Sequence, residues 1–331
     1  MTTPIDVSTL KDKNTLIIGG ASGIGLAIAT RFAQSSAYVT IADIQKESGM
    51  RIAANLVSEG YKVGFTYCNV TDFDSIVAAF KDAAAFSPSK SLDVVALVAG
   101  VIGEQEGLVD QVIRSRTRTE DTYWIEPTKP RHPAIDVNLL GIYDCAYVAL
   151  HYMASNSESA GSVREGAHPH STKSLILVSS TAAYIDSPFA DYQVSKFGVR
   201  GFFRSLRHST PRLNIRLNAI APHFIRTALV GSIVSTLAAG EPGQNMTFVD
   251  IARVVDAAER LALDESLNGR TLGVLPEPHG IVDLEDDDEG WWSGKVLKGL
   301  VDAMRAEGSW GGQVVSQLTK RQALAETSIE S

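Results

Sequence analysis

Apolar positions recur along this chain in two rhythms. Short, nearly continuous runs rich in β-branched residues lie at Thr15–Ile18, Tyr38–Ala42, 62–67, Leu92–Val98, Ser174–Val178, Ile215–Ile220 and 270–275. Runs of this kind predict strands buried on both faces. Between them apolar residues return at helical spacing, as at Leu26, Ile28, Ala29, Phe32 and Ala33, or Ile76, Val77 and Phe80. Helices are predicted from residue 23 onward, over 46–58, after Thr71 or Asp72 as the cap, from Asp136 to Met153, from Tyr192 to Leu206 and over 248–263. Strands alternating with helices predict an α/β architecture: a doubly wound, mostly parallel seven-stranded sheet flanked by helices.

Two polar segments break the rhythm. Residues 101–134 hold Arg114, Arg116, Arg118 and three prolines with little periodicity. They predict an exposed insertion; a wall or lid of a substrate site, or an oligomer contact, is the sharper alternative. Residues 154–173 form a second insertion containing His168-Pro169-His170. No carboxylate or cysteine pattern accompanies these histidines, so no metal site is expected. Residues 228–246 are small, apolar and then glycine-rich, which suits a mobile flap carrying Leu229, Val230, Ile233, Val234 and Leu237. Residues 10–280 therefore form one domain with insertions. The extension 281–331 opens on the acidic run Asp283–Glu289. Trp291, Trp292, Val296, Leu297, Leu300, Val301 and Met304 then predict an amphipathic helix, before a disordered end.

Composition narrows the function classes. A net charge of -8 argues against a general nucleic-acid surface. No apolar run approaches the roughly 20 residues that span a bilayer, and the first residues lack a signal-peptide core, so a cytoplasmic protein is expected. Cys68 and Cys145 lack metal spacing and suit small core positions in a reducing compartment.

The candidate chemistry begins at Gly19-Gly20-Ala21-Ser22-Gly23-Ile24-Gly25, between a strand and a helix. Glycines there let the backbone turn tightly and approach a ligand, and a helix N-terminus favours a pyrophosphate. Asp43 ends the next strand, 18 residues after Gly25, where a Rossmann-type dinucleotide fold places its ribose-binding acid. A plain βαβ unit with a loop aspartate is the bland alternative. Farther on, Tyr192 and Lys196 stand four apart on one helix face. An ammonium beside a phenol favours the phenolate and would lower the tyrosine's pKa into a useful range.

Together these features resemble the short-chain dehydrogenase/reductase family, over roughly residues 10–280, and the two insertions and the long tail are similar to those of its larger fungal secondary-metabolite members. The marks are Gly19-x-x-x-Gly23-x-Gly25, Asn138, Ser180 after the fifth strand, and Tyr192-x-x-x-Lys196. The resemblance implies that Tyr192 is the general acid/base, that Ser180 stabilises the substrate oxygen, and that Lys196 lowers the tyrosine's pKa and holds the nicotinamide ribose. Asn138 would hold a water linking the lysine to solvent. The cofactor site implied is Gly19, Ser22, Gly23, Ile24, Gly25, Asp43, Asn69, Val70, Ala99, Gly100, Pro222, Ile225 and Thr227, with Tyr192 and Lys196. Ser179 stays open beside Ser180: it lies 13 residues before Tyr192, the family's usual spacing, and Ser180 lies 12 before. The chain departs from the family at Ile18, at Leu97-Val98, at Asn69 and at His223, which stands where a glycine usually follows Pro222.

Asp43 and Ser22 favour NAD over NADP, since a carboxylate repels a 2′-phosphate. The resulting expectation is NAD-dependent interconversion of a secondary alcohol and a ketone on a bulky hydrophobic substrate, terpenoid, steroid-like or another secondary metabolite. Two alternatives stay open: a ketone reductase using NADH or NADPH, and a cofactor-binding scaffold or sensor without turnover. The family commonly pairs the helices matching 138–153 and 192–206, so a homodimer or homotetramer is expected, with no nucleic-acid or membrane partner.

Overall fold

The computed structural model describes residues 10–104, 106–116, 127, 129–154, 173–185, 187, 189–231 and 247–284. Seven parallel strands are β1 (Asn14–Ile18), β2 (Tyr38–Asp43), β3 (Val63–Tyr67), β4 (Val94–Leu97), β5 (Lys173–Val178), β6 (Ile215–Pro222) and β7 (Thr271–Val274). An eighth, β8 (Ile281–Asp283), adds an antiparallel edge through Val274–Ile281 and its neighbours. The sheet thus has eight strands where the sequence predicts seven, in the order β3-β2-β1-β4-β5-β6-β7-β8. Three residues after a proline-containing turn carry too little pattern to announce β8.

Alternation along each strand builds two cores. Leu16 and Ile18 face one side with Leu175, Leu177 and Leu217; Ile17 faces the other with Ile176 and Ile220. The first side packs α3 (Phe73–Phe86), α5 (Ile142–Ala154) and α6 (Ala190–Leu206). The second packs α1 (Gly23–Gln34), α2 (Lys46–Ser58) and α7 (Ile251–Leu263). Phe32 and Phe80, each fully buried, anchor the two layers. Burial of such a side chain contributes about 1.5–3 kcal/mol.

Several polar side chains meet specific backbone partners. Asp72 caps α3 by accepting from the N–H groups of Asp74 and Ser75, one of the two residues the sequence offers for that cap. The buried Arg216 guanidinium donates to the carbonyls of Leu261, Ala262 and Leu267 at 2.8, 2.9 and 3.0 Å. It thereby ties off the C-terminal carbonyls of α7. Cys68 and Cys145 are buried free thiols. Burial pushes Cys68 up to about 12, which makes it unreactive.

The first insertion contains α4 (Leu108–Arg116), a helix not expected there. Asn138 lies in a wide π-type turn, Ile135–Gly141, that runs into α5. Residues 155–172 of the second insertion, the outer flap residues Ile233, Val234 and Leu237, and the extension beyond residue 284 lie outside the described residues. Among the described residues no helix is long and apolar enough to cross a membrane. The strand order reverses between β1 and β4, so the crevice beyond their C-terminal ends is where this architecture places ligands.

Candidate active site

A cleft of about 460 Å³ opens at that reversal. Its near end is the turn after β1. Gly19 has φ +83°, and a Cβ there would lie 2.5 Å from the backbone nitrogen of Ala99. Only glycine lets the ends of β1 and β4 approach so closely. Ser22 is the N-cap of α1 but makes no side-chain cap, and the first turn carries no acid. The helix therefore presents free N–H groups and its positive end to the cleft, as a dinucleotide's pyrophosphate requires.

Asp43 closes β2 as a buried carboxylate lining the cleft. Its Oδ2 accepts from Ala21 N–H at 2.9 Å and its Oδ1 from Gln45 N–H at 3.0 Å. These bonds fix it against the glycine turn, and each oxygen retains acceptor capacity for a ribose hydroxyl. Asn69 also lines the cleft, but its Oδ1 accepts from Thr71 N–H and Oγ1 at 3.1 and 2.9 Å. Val70, Ala99, Gly100, Pro222, Ile225 and Thr227 line it too. The donor set fits a dinucleotide.

Ser180, Tyr192 and Lys196 come together at the middle of the cleft. Lys196 is buried, and its Nζ donates to the Val178 carbonyl at 3.1 Å. Burial pulls its pKa down to about 8. The Tyr192 phenol moves the opposite way: burial raises it, and hydrogen bonding by Ser180 acts against the rise. The expected lowering by Lys196 is absent in the protein alone. Nζ sits 5.6 Å from the phenol ring centroid and is itself desolvated, so burial outweighs its field. Ser179 also lines the cleft but is buried, its hydroxyl donating to the Lys196 carbonyl at 3.4 Å. It is Ser180, not Ser179, whose hydroxyl acts on the phenol.

Asn138 does not line the cleft. It lies fully buried beneath it. Its Oδ1 accepts from Val101 N–H at 2.8 Å, and its Nδ2 donates to the Val101 carbonyl at 2.8 Å and to Ser195 Oγ at 3.1 Å.

The far end is apolar. Ile102, Phe189 and Val230 form a small buried cluster on which Tyr192, Phe224 and Phe248 pack. Leu229 and Ile185 extend the lining. One polar pair interrupts it. Thr181 Oγ1 and His223 Nδ1 lie 3.3 Å apart, and both residues face the cleft. Burial lowers the His223 pKa. The sequence flags His223 through its place after Pro222; it gives no sign of the partner. Phe189 and Ile102 were not foreseen as site residues either, because nothing local marks them.

Comparison with known proteins agrees with this geometry. Residues 13–238 match the short chain dehydrogenase family. The chain belongs to the short-chain dehydrogenase family. It is 38% identical over 315 residues to 5'-hydroxyaverantin dehydrogenase of Dothistroma septosporum, covering 93% of this chain and 98% of that one. It is 37% identical to 5'-hydroxyaverantin dehydrogenase stcG of Emericella nidulans, covering 92% and 96%. NADP-dependent dehydrogenase clz5 of Cochliobolus lunatus is 31% identical, with 80% of this chain and 89% of that one covered. Among solved structures, a short-chain type dehydrogenase/reductase from Mycobacterium marinum superposes with a TM-score of 0.64 at 20% identity, over 81% of this chain and 96% of that one. That likeness speaks for the fold. Family membership makes the chain an oxidoreductase acting on CH–OH groups, with a nicotinamide cofactor.

Proposed function

We propose that this short-chain dehydrogenase oxidises a secondary alcohol on a bulky, hydrophobic secondary metabolite to a ketone, with NAD as its cofactor. The observation that carries the proposal is the meeting of Ser180, Tyr192 and Lys196 in one cleft, between the glycine turn and the apolar wall of Ile102, Phe189 and Val230.

A nicotinamide held beside Lys196, Ile225 and Thr227 would supply the hydride acceptor for this oxidation. The chain's own groups manage the proton and the position. Tyr192 takes the hydroxyl proton as the C–O bond gains double-bond character. Ser180 donates a hydrogen bond to the same oxygen and stabilises its charge. Lys196 would hold the ribose and places its ammonium 5.6 Å from the phenol ring centroid. Asn138 fixes the floor under them by gripping Val101. The same groups serve ketone reduction in reverse, so metabolite levels set the direction. Asp43 supports NAD, although relatives include enzymes named NADP-dependent. The two relatives named for 5'-hydroxyaverantin make that compound the first substrate to try.

The unit of function is a homo-oligomer in this reading. Leu140, Tyr143, Tyr147, Val194 and Phe197 are exposed apolar side chains on the Asn138 turn, α5 and α6, more than isolated surface hydrophobics require. A monomer by light scattering at assay concentration overturns this.

The test is NADH absorbance with secondary alcohols from small aliphatics to 5'-hydroxyaverantin, steroids and terpenoids. Wild type and Tyr192→Phe run in parallel, each with NAD and with NADP. Tyr192-dependent NADH formation from a bulky alcohol is expected. Full activity in Tyr192→Phe sinks the mechanism. NAD binding without turnover of any alcohol or ketone favours the non-catalytic alternative.

A further inference from the structure

Asp191 directly precedes Tyr192 in the first turn of α6 and is buried, with 9% of its surface exposed. Its Oδ1 accepts from the Tyr192 N–H at 2.8 Å. Its Oδ2 accepts from Glu104 N–H at 3.3 Å and from Ala134 N–H at 3.3 Å. Glu104 and Ala134 stand at the two roots of the insertion 101–134. Among the described residues no cation pairs with this carboxylate. Backbone N–H groups and the positive end of α6 balance its charge.

Gly103 supplies an independent sign of the same arrangement. Its φ is +83°, and a Cβ there would lie 2.1 Å from Asp191 Oδ2 and 2.8 Å from the Ala134 Cβ. The chain passes the carboxylate at a point that admits only glycine. One residue earlier, Ile102 packs with Phe189 and Val230 in the apolar wall against which Tyr192 lies. One residue after Ala134 begins the turn that carries Asn138.

We propose that Asp191 is a positioning residue: its carboxylate clamps both roots of the insertion to the catalytic helix and so holds Ile102 in place as a wall of the substrate end. The substrate part rests on the function proposed above; the clamp does not. A carboxylate suits the task because three N–H donors meet two oxygens that both accept. An asparagine offers one acceptor oxygen, and its amide N–H groups would confront the remaining donors. Asp191→Asn therefore loosens the clamp without changing its volume, and Gly103→Ala forces the same segment away from the other side.

Both variants are tested in the full chain. Hydrogen exchange read by mass spectrometry covers peptides 101–106 and 131–137. NADH affinity is read by fluorescence. KM and kcat are measured for a bulky and for a small secondary alcohol. Expected are exchange faster by about tenfold at both roots, unchanged exchange in β1 and β6, and unchanged NADH affinity. KM for the bulky alcohol rises by about tenfold with kcat nearly kept, and the small alcohol is unaffected. Unchanged exchange at the roots in both variants overturns the clamp. Faster exchange with equal KM changes for both alcohols overturns the role as substrate wall. Exchange that rises throughout the sheet in Asp191→Asn marks unfolding, and Gly103→Ala then decides. If wild type oxidises neither alcohol, it is the proposed function that fails, and the exchange result still decides the clamp.

Discussion

The side-chain amide of Asn138 holds both backbone polar groups of Val101, accepting from its N–H and donating to its carbonyl at 2.8 Å each. This pairing imitates a strand contact where β4 has already ended. A third bond, to Ser195 Oγ at 3.1 Å, ties it to α6, and Ser195 in turn donates to the Tyr192 carbonyl at 2.7 Å. Asn138→Ala would leave the half-buried N–H and carbonyl of Val101 unpaired. It should lower stability by about 2–4 kcal/mol and reduce turnover along with it. Denaturant midpoints and steady-state rates measure both, and a variant as stable and active as wild type would rule out this scaffolding role.

Lys196 carries a pH signature. Its folded pKa is pulled to about 8 by burial, against an ordinary 10.5. Between those values the unfolded chain binds more protons than the native protein, so this group makes stability rise with pH through that window. Below pH 8 the protonated amine bears the full burial cost. Lys196→Met removes that titration. The stability of cofactor-free wild type relative to Lys196→Met should climb by up to about 3 kcal/mol between pH 8 and 10.5, and stay flat below. A flat difference throughout would show that burial does not control this amine. The variant should also lose NAD affinity and turnover, since it keeps no charge beside the phenol.

How much of this was legible in the sequence depends on distance along the chain. The glycine turn, Asp43 and the Tyr192–Lys196 pair are local, and each reads directly from spacing. The strands read because most of them are apolar on both faces; β3, at the sheet edge, is only partly buried. The insertion helix α4 was hidden for a physical reason. Its apolar residues Leu108, Val109, Val112 and Ile113 are exposed, in a segment otherwise dense in charge and proline. The π-type turn at Ile135–Gly141 has no periodicity of its own to distinguish it from the helix it enters. Asp191 stood in plain view beside Tyr192. Its partners lie 57 and 87 residues away, and only the folded chain joins them. Spacing conveys the proximity of Tyr192 and Lys196 but not the burial that raises the phenol's pKa in the protein alone.

His223 and Thr181 form the polar interruption of the apolar end, 3.3 Å apart. Burial lowers the imidazole pKa below 6.5. On the acid side of 6.5 the unfolded chain therefore binds more protons than the native one, and stability is lost as pH falls through that value toward the folded pKa. His223→Gln, which does not titrate, should show less acid sensitivity than wild type in thermal melts at pH 5 and 7. If the pair orients a polar group of the substrate, His223→Leu and Thr181→Val should each raise KM, and the double variant should raise it by less than the product of the two. Strictly multiplicative effects would separate the two side chains.

Asp43 gives the sharpest test of cofactor choice. Its two oxygens already hold the N–H groups of Ala21 and Gln45, so the carboxylate is fixed where a ribose must pass. A 2′-phosphate would meet a buried, preoriented negative charge, which costs it affinity with no relief by rotation. Asp43→Asn keeps one acceptor oxygen and removes the charge. The ratio of kcat/KM for NAD over NADP should fall by about tenfold or more, equivalent to at least about 1.4 kcal/mol. Two terms contribute: NAD loses a charge-assisted bond to its ribose, and NADP loses a repulsion. They separate experimentally, because only the second raises kcat/KM for NADP in absolute terms and only it weakens with added salt. Some stability should be lost as well, since either Ala21 or Gln45 then faces an amide N–H, and melting curves report that cost apart from specificity. An unchanged cofactor ratio in a folded variant would mean that Asp43 serves the glycine turn alone.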